Sequence, residues 1–337
     1  METTTNIDEA ERASLRVTAQ YHFGRYVRTG GLVLALAGIS AYFTVSSPYF
    51  LTKDNLYNIL LQSSNIAIVA AGLTVVLVAA EIDLSIGSIE ALSGSIAAVL
   101  IIRYGLPVGV GIAAALGCSV LAGLISGFFT WKLKVVSFIS TLAMLGIAQG
   151  IAFLLTNGQA VAGFPNSYKQ IGIAEIHGFP GAVVIAIVLF VGLHLMLNRT
   201  RLGAHIYAVG GNAESAARAG IRPGMIKLTA LMISGLCAGI GGLIVSARLD
   251  AGNGLFGAND LLAAVAAVVI GGTSLFGGVG SVMGTAVGVL IITTINNGMV
   301  LLNVPDFWQQ IVVGCIILAA MVLDQITKAA KLPGALP

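Results

Sequence analysis

Residues 180–198 read PGAVVIAIVLFVGLHLMLN, a stretch without Asp, Glu, Lys or Arg. A helix that crosses the hydrocarbon core of a bilayer needs about 20 mostly apolar residues. This stretch therefore predicts a membrane-spanning helix. Similar stretches recur along the chain, so we expect about ten spans in all. The others are predicted at 30–47, 58–80, 86–103, 107–130, 136–155, 226–247, 261–277, 282–300 and 307–323.

The composition agrees with a chain that lies mostly in lipid. Of the 337 residues, 57% are hydrophobic and 9% are charged, whereas soluble domains carry about 25% charged residues. We therefore predict an all-α integral membrane protein whose transmembrane domain covers residues 30–325. Cytoplasmic tails are expected at 1–29 and 326–337. The first tail lacks the early apolar stretch of a signal peptide, so we expect it to be retained.

Basic residues predict the orientation of the chain in the membrane. If the N-terminus is cytoplasmic, 13 of the 17 Lys and Arg residues fall in inside stretches, and only Lys53, Arg103, Lys169 and Arg248 fall outside. Short cytoplasmic loops are enriched in Lys and Arg. This bias predicts that both termini lie inside. A net charge of +3 without a run of basic residues gives no reason to expect a nucleic-acid partner.

The third and eighth predicted spans, 86–103 and 261–277, are short or interrupted by glycine. Irregular backbone at membrane depth is tolerated only where protein or a water-filled cavity covers it. We expect these two spans to be broken or re-entrant.

Residues 81–88 and 271–278 can be aligned at an offset of 190, which hints at an internal repeat and an inverted arrangement of five plus five helices. Small residues at every fourth position after Gly280 predict either close helix packing or a dimeric or moving interface.

Motifs for chemistry on the chain itself are missing from the sequence. There is no G-x-x-x-x-G-K-[ST] phosphate loop, no H-E-x-x-H and no G-x-S-x-G. The three cysteines, Cys118, Cys237 and Cys315, lie in apolar segments without C-x-x-C spacing, which indicates small buried hydrophobic side chains rather than disulfides or zinc ligands. We therefore predict no catalytic residue, no metal site and no cofactor on this chain. Uphill transport would need energy from a partner or an ion gradient.

Two acidic residues, Glu81 and Asp83, lie at the junction of two predicted spans. A carboxylate at membrane depth costs at least about 2.5–3.5 kcal/mol on insertion scales, so it should be paired, hydrated or functional. Three interpretations stay open. Asp83 or Ser85 caps the following helix, the carboxylates form a gate or binding group, or they couple transport to protons.

The predicted inside loop 199–225 contains a helix signature too short and too polar to span a membrane. Asn212 is a suitable N-cap, Glu214 in the first turn matches the positive end of the helix dipole, and Gly220 suits the C′ position. A helix of about two turns is unstable alone in water. We expect it to pack on the cytoplasmic ends of this chain or on another subunit.

Four segments together resemble one known family. They are GGNAESAARAGI at 210–221, EIDLSIGS at 81–88, AAVVIGGTSLFGGVGSVMGT at 266–285, and Asn296-Asn297-Gly298 with Leu301-Leu302. In order and spacing they are similar to the permeases of ATP-binding-cassette sugar importers of the ribose, arabinose, xylose and galactoside type, within the branched-chain amino acid and sugar permease superfamily. The resemblance extends over about residues 30–325. Glu81 departs from it, because many members have glycine there.

The resemblance implies a multi-pass permease of the bacterial inner membrane that works with partners. These are a second permease subunit in a homodimer, a cytoplasmic ATPase subunit that binds ATP and Mg²⁺, and a periplasmic sugar-binding protein. The loop helix would be the coupling helix that docks on the ATPase. The resemblance implies this coupling role for Gly211, Asn212, Glu214, Ala217, Arg218 and Gly220.

Polar residues inside apolar surroundings are candidates for the substrate pathway, because sugar hydroxyls need hydrogen-bond donors and acceptors. They are Asn65, Asp83, Ser85, Ser88, Asp260, Thr273, Ser274 and Asn296. Each could equally hydrogen-bond to the backbone or to neighbouring helices. Amino acids or nucleosides remain alternative cargoes for the same architecture. A secondary transporter is a further alternative.

Overall fold

A computed structural model describes residues 30–176 and 178–330, without the side chains of residues 176 and 323–330. The predicted tail 1–29 and residues 331–337 lie outside the described residues. Thirteen α-helices form the described part. They are α1 (Gly30–Ser46), α2 (Lys53–Val78), α3 (Ile86–Ala98, extended by a π-helical turn Val99–Arg103), α4 (Val108–Lys132), α5 (Ser137–Thr156), α6 (Asn166–Ile173), α7 (Gly181–Arg199), α8 (Arg201–Gly211), α9 (Ala213–Arg218), α10 (Pro223–Leu249), α11 (Asp260–Ile270), α12 (Val282–Leu301) and α13 (Asp306–Ala330).

Every predicted span corresponds to one of these helices, which confirms an all-α membrane protein. Among the residues whose side chains are described, seven helices are long and apolar enough to cross a bilayer. The other three predicted spans contain shorter apolar helical stretches, of which Asp306–Val322 belongs to the longer helix α13. The eighth predicted span, 261–277, is shorter than expected, because α11 has only 11 residues and is about 16 Å long. A hydrocarbon core is about 30 Å thick. Helix α13 continues to Ala330, beyond the predicted end of the last span.

The two ends of the bundle differ. One end, called here the α9 end, holds α8 and α9. The opposite end, called here the α6 end, holds α6 and four two-residue strands, β1 (Val161–Ala162), β2 (Glu175–Ile176), β3 (Phe179–Pro180) and β4 (Ala251–Gly252). The antiparallel pairs are β1 with β4 and β2 with β3. The pairing of β1 with β4 joins the loop before α6 to the segment after α10.

Helices α2 and α10 form the centre of the bundle and pack against each other. They run in opposite directions, because α2 ends at the α9 end and α10 begins there. Helix α10 packs on α3 and α4, and α2 packs in the same manner on α11 and α12. These equivalent contacts support an inverted repeat of five plus five helices.

The alignment at an offset of 190 does not reflect that repeat. Its two segments, 81–88 and 271–278, lie side by side at the α9 end, where the amide of Gly278 donates to the carbonyl of Val78 over 2.9 Å. Both precede a helix that leaves this end. Segments related by an inverted repeat would lie at opposite ends.

Helices α3 and α11 both follow non-helical backbone, and we call them the interrupted helices. The third predicted span, 86–103, is itself one continuous helix with a π-helical turn, so the interruption lies before it and not within it. Residues 81–85 lead into α3 and residues 253–259 lead into α11, and neither segment is helical. The two helix starts meet inside the bundle, where Gly87 lies against the carbonyl oxygen of Gly257. Gly257 has φ +77°, a conformation that glycine adopts at little cost.

Small residues bring α11 and α12 into backbone contact. A methyl group on Gly288 would overlap the carbonyl oxygen of Ala267, and one on Gly284 would overlap the carbonyl of Gly271. The glycines at every fourth position, Gly280, Gly284 and Gly288, therefore serve helix packing within the subunit, one of the two alternatives left by the sequence.

The burial of the three cysteines differs more than expected, because Cys237 is buried whereas Cys315 is exposed.

Substitution of Gly288 by alanine should destabilise the fold by about 1–3 kcal/mol, the usual cost of overpacking a filled contact. Gly192→Ala on α7 is the matched control, because no atom lies within 4 Å of the added carbon. Its stability should stay unchanged or rise slightly, since alanine favours helix. The thermal unfolding midpoint in detergent measures both variants. Equal midpoints for the two would refute the close α11–α12 contact.

Candidate functional site: a coupling element and a polar centre

Helix α9 has the capping geometry expected from the sequence. The Asn212 side chain accepts a hydrogen bond from the amide of Ser215 over 2.8 Å, and Gly220 has φ +85°. Glu214 and Arg218 form an ion pair at 2.6 Å on the outer face, with both side chains 77% exposed. Ala216 is the buried residue of this helix. The remainder of α9 thus presents a small surface with charges of both signs at the end of the bundle.

Helix α8 was not anticipated from the sequence. It begins after Thr200, whose hydroxyl accepts from the amide of Gly203 over 3.2 Å, and its buried face includes Ile206 and Val209. A capping threonine followed by apolar residues at helical spacing was the signal that could have revealed it. Helix α8 carries α9, because Asn212 alone separates the two.

The C-terminal end of α8 is locked into the bundle through backbone contacts. We call the contact of Val78, Gly210, Gly277 and Gly278 the glycine joint. A methyl group on Gly210 would overlap the carbonyl oxygen of Val78 and lie 2.7 Å from the amide nitrogen of Gly278. Gly277 and Gly278 have φ +84° and +71°. The hydroxyl of Tyr207 donates to the carbonyl of Gly280 over 2.9 Å, which holds α8 to the same loop.

The glycine joint lies beside both interrupted helices. Val78 is the last residue of α2, and residues 79–85 lead from it to α3. Gly277 and Gly278 belong to the loop that links α11 to α12. The C-terminal end of α8 therefore contacts backbone that leads to α3 and backbone that follows α11.

Residues 81–85 are held by side chains from two other helices. Glu81 pairs with Lys227 of α10. The amide of Ile82 donates to the Ser137 hydroxyl of α5 over 3.1 Å, and the Thr141 hydroxyl donates to the carbonyl of Ile82 over 3.2 Å. These contacts satisfy extended backbone at the entrance to α3.

The capping interpretation of Asp83 and Ser85 is wrong. Ser85 occupies the N-cap position of α3, but its side chain makes no capping hydrogen bond. Asp83 instead accepts from the amide of Ser85 over 2.9 Å and from its hydroxyl over 2.6 Å, forming a local turn before the helix.

A second polar group lies deeper, and we call it the midplane cluster. It consists of Asn65 of α2, Glu90 of α3, Arg248 of α10 and Asp260 of α11. The Asn65 amide nitrogen donates to Glu90 over 2.7 Å and to Asp260 over 2.8 Å. Glu90 is fully buried, and the positive charge of Arg248 acts on both carboxyl groups. One amide thus ties α2 to both interrupted helices.

The eight pathway candidates do not form one continuous line. Asn65 and Asp260 meet in the midplane cluster. Asp83, Ser85 and Ser88 form a local group, in which the Ser88 hydroxyl donates to the carbonyl of Ser85 over 2.9 Å. The other candidates lie apart from both groups. Thr273 and Ser274 lie in the loop that enters the glycine joint, and Asn296 lies on α12.

Several residues of this region were missed by sequence reasoning. Glu90 is a charged side chain within the predicted span 86–103, which is a signal for function at membrane depth. Arg248 directly follows the predicted span 226–247, whereas in the structure it is the penultimate residue of α10. Gly210 could not be distinguished from Gly211 in the sequence, yet only Gly210 is in close contact, since nothing lies within 4 Å of a methyl group on Gly211.

A half-open cavity of about 120 Å³ lies beside the midplane cluster, between the start of α3, the middle of α5 and the segment before α11. Its walls include Leu84, Ser88, Leu145, Gln149, Phe256 and Gly257. Gly257 separates it from Glu90, because a methyl group on Gly257 would lie 2.8 Å from a Glu90 carboxyl oxygen. Among the described residues no group of three or more His, Cys, Asp or Glu side chains is arranged to hold a metal ion.

Comparison with known proteins identifies the family. Residues 55–321 match the family described as branched-chain amino acid transport system / permease component. The chain belongs to this family. It is therefore a multi-pass membrane protein of the permease class, which is a non-catalytic membrane component.

Relatives are similar over nearly the whole permease. The ribose import permease protein RbsC of Escherichia coli (strain K12) is 40% identical over 87% of this chain and 92% of its own length. RbsC of Haemophilus influenzae is 37% identical over 94% and 98%. The xylose transport system permease protein XylH of Haemophilus influenzae is 34% identical over 88% and 96%. No solved structure matches the chain.

Loss of the bridging amide should destabilise the midplane cluster. Asn65→Ala leaves Glu90 and Asp260 without their shared donor, and we expect a loss of about 1–3 kcal/mol. The effect of adding Glu90→Gln should fall short of additivity by about 0.5–3 kcal/mol, because the two residues share one interaction. The free energy of unfolding in mixed micelles tests this. Asn296→Ala is the control, because its amide oxygen has no hydrogen-bond partner among the described residues. Strict additivity in the Asn65 and Glu90 double variant would contradict the bridge.

The glycine joint gives a matched pair of adjacent substitutions. Gly210→Ala should push α8 away from Val78 and speed hydrogen exchange of peptides covering 271–281, because the Gly278 amide loses its acceptor. Gly211→Ala, which adds the same methyl group in open space, should leave that exchange unchanged. Hydrogen–deuterium exchange with mass spectrometry measures both. Similar exchange in the two variants would rule out the joint.

Proposed function

We propose that the chain is the membrane permease of an ATP-binding-cassette importer and moves a sugar across the bacterial inner membrane. The observation that carries this proposal is the exposed, capped helix α9, which is linked by the glycine joint to the two interrupted helices. The near full-length similarity to ribose and xylose permeases supports it.

In this proposal α9 docks on a separate ATPase subunit, which binds ATP and Mg²⁺ and hydrolyses ATP. The coupling residues are Gly211, Asn212, Glu214, Ala217, Arg218 and Gly220. Asn212 and Gly220 fix the two ends of the helix, while Glu214 and Arg218 present exposed charges to the partner. The α9 end and both termini would then face the cytoplasm.

The α6 end is the proposed receiving side for a periplasmic sugar-binding protein. Its surface is fixed by a stack of Phe164 on Tyr168 with ring centroids 3.9 Å apart. Tyr168 shares a hydrogen bond of 2.7 Å with Ser246 of α10, and burial raises the pKa of its phenol. This end therefore offers a firm platform next to α10 and the segment before α11.

A second copy of the chain is the proposed partner within the membrane. Several spans keep large apolar side chains at their surface, including Ile139, Leu142, Ile147 and Leu154 of α5. Lipid and a second permease can share such faces. A homodimer would place the half-open cavities of both copies in one assembly.

ATP binding by the ATPase would bias the permease between outward- and inward-facing states through different contacts with α9 in each state. The glycine joint would pass that displacement to residues 79–85 and to the loop before α12. The midplane cluster, held by α2, α3, α10 and α11, would then respond because α3 and α11 carry two of its members.

Coupling is tested by exchanging the charges of α9. Glu214→Arg with Arg218→Glu retains an ion pair four residues apart but reverses the surface offered to the ATPase, so uptake and transport-linked ATP hydrolysis should fall to background. The chain should still insert and purify normally. Glu214→Asp with Arg218→Lys keeps both charges in place and should retain most activity. The assay is solute-stimulated ATP hydrolysis and uptake by the complex in proteoliposomes.

The cargo is tested in the same vesicles with ribose, xylose and leucine. Uptake of either sugar without uptake of leucine supports the proposal. Uptake of leucine alone would contradict the proposed sugar cargo and indicate a branched-chain amino acid, the cargo in the family description. Transport by the purified chain without ATPase would instead make it a secondary transporter, and normal uptake by the charge-exchange variant would defeat the role of α9.

A further inference from the structure

The cavity beside the midplane cluster contains an amide that the fold does not use. Gln149 is the thirteenth of the 20 residues of α5, so it lies well inside the apolar span. Its side chain is half-buried and lines the cavity. Among the described residues, none forms a hydrogen bond with it. Polar side chains at membrane depth mark solute pathways.

The other walls of the cavity complement a small hydroxylated molecule. The Ser88 hydroxyl adds a polar atom from the first turn of α3. Phe256 adds an aromatic ring, and Gly87 and Gly257 add backbone without side chains. A glutamine amide offers one acceptor and two donors, which can serve two neighbouring hydroxyl groups at once. Pockets that orient ligands commonly combine apolar walls with a few polar groups of this kind.

The size of the cavity limits what it can hold. About 120 Å³ corresponds to roughly four water molecules at about 30 Å³ each, whereas pockets that enclose drug-sized ligands measure about 300–1,000 Å³. Because the cavity is half-open, it fits one edge of a monosaccharide and leaves the remainder of the sugar outside. Contact with only one edge of the sugar predicts weak binding. Weak binding suits a transport pathway, because the solute must be released again.

We propose that this cavity is a binding station for a small polyhydroxylated solute, and that Gln149 is its specificity-determining residue. Gln149 binds adjacent hydroxyls, Ser88 binds a further one, and Phe256 covers the apolar face of the ring. The station lies where the starts of α3 and α11 meet, so movement of either helix changes its shape. This inference rests on the proposed sugar transport and identifies the residues that contact the sugar.

Protection from alkylation tests the station on the purified chain, without partners. Leu145→Cys, one turn before Gln149 on α5, places a thiol at the cavity wall and keeps Gln149, and its reaction with N-ethylmaleimide is followed by peptide mass spectrometry. Binding of ribose or xylose should slow the reaction by a factor of one plus the ratio of sugar concentration to Kd, or about tenfold at ten times Kd. Native Cys315 is exposed and serves as an internal reference whose rate should not change. Leucine should give no protection.

Equal alkylation rates with and without both sugars, up to high millimolar concentrations, would overturn the station. Equal slowing at Cys315 would do the same, because it would show a general effect of sugar. Size-exclusion chromatography of the Leu145→Cys variant verifies that it is folded.

The transport assay separates failure of the station from failure of the proposed function. In the reconstituted complex, Gln149→Leu should lower sugar uptake or change the preference between ribose and xylose, and Gln149→Asn should recover part of it. Gln159→Leu, the same change in an exposed loop after α5, should behave as wild type. If wild type imports sugar and Gln149→Leu is indistinguishable from it, the station is wrong and the proposed function stands. If no sugar is imported although sugar protects Leu145→Cys, the proposed function is wrong and the station stands.

Discussion

Backbone hydrogen bonding inside lipid is the constraint on which this structure depends. A polypeptide cannot expose unpaired amides and carbonyls to hydrocarbon, so any break in a spanning helix must be covered by other parts of the protein. Helices α3 and α11 both begin after non-helical segments. In the first segment, the Ser137 and Thr141 hydroxyls hydrogen-bond to the backbone of Ile82, and the Glu81 side chain pairs with Lys227. The segment before α11 is only partly covered, because Leu255, Ala258 and Asn259 are exposed.

Glycine residues allow the backbone of neighbouring segments to approach these helices closely. At the glycine joint and along α11 and α12, backbone meets backbone at distances that even a methyl group would block. The glycine joint also places α8, which carries α9, against the end of α2 and the loop after α11. In the proposed function, this contact would pass a movement of α9 to these segments. The midplane cluster completes this connection, since Asn65 hydrogen-bonds to residues of both α3 and α11.

The sequence predicted the features that depend on local chemistry. The ten spans follow from runs of apolar residues, and α9 follows from Asn212, Glu214 and Gly220 acting within a few residues of one another. Features that depend on contacts between distant segments were missed or misread. Gly210 differs from Gly211 only in what lies against it, and Gln149 is notable only because the fold leaves it unpaired. The sequence match between 81–88 and 271–278 paired two segments that lie side by side at the same end of the bundle. An inverted repeat is supported instead by the equivalent helix contacts of α2 and α10.

The central proposal is that α9 and the glycine joint would move together as one body when a partner ATPase binds ATP. Pulsed electron paramagnetic resonance can measure this in the complex, with the three native cysteines replaced and spin labels placed in pairs. One pair joins Ser215 of α9 to Val279 in the loop of the joint, and a second joins Ser215 to Leu255 near the start of α11. On addition of a non-hydrolysable ATP analogue, we predict an unchanged distance between positions 215 and 279 and a changed distance between 215 and 255. A change in the first distance with none in the second would contradict the account.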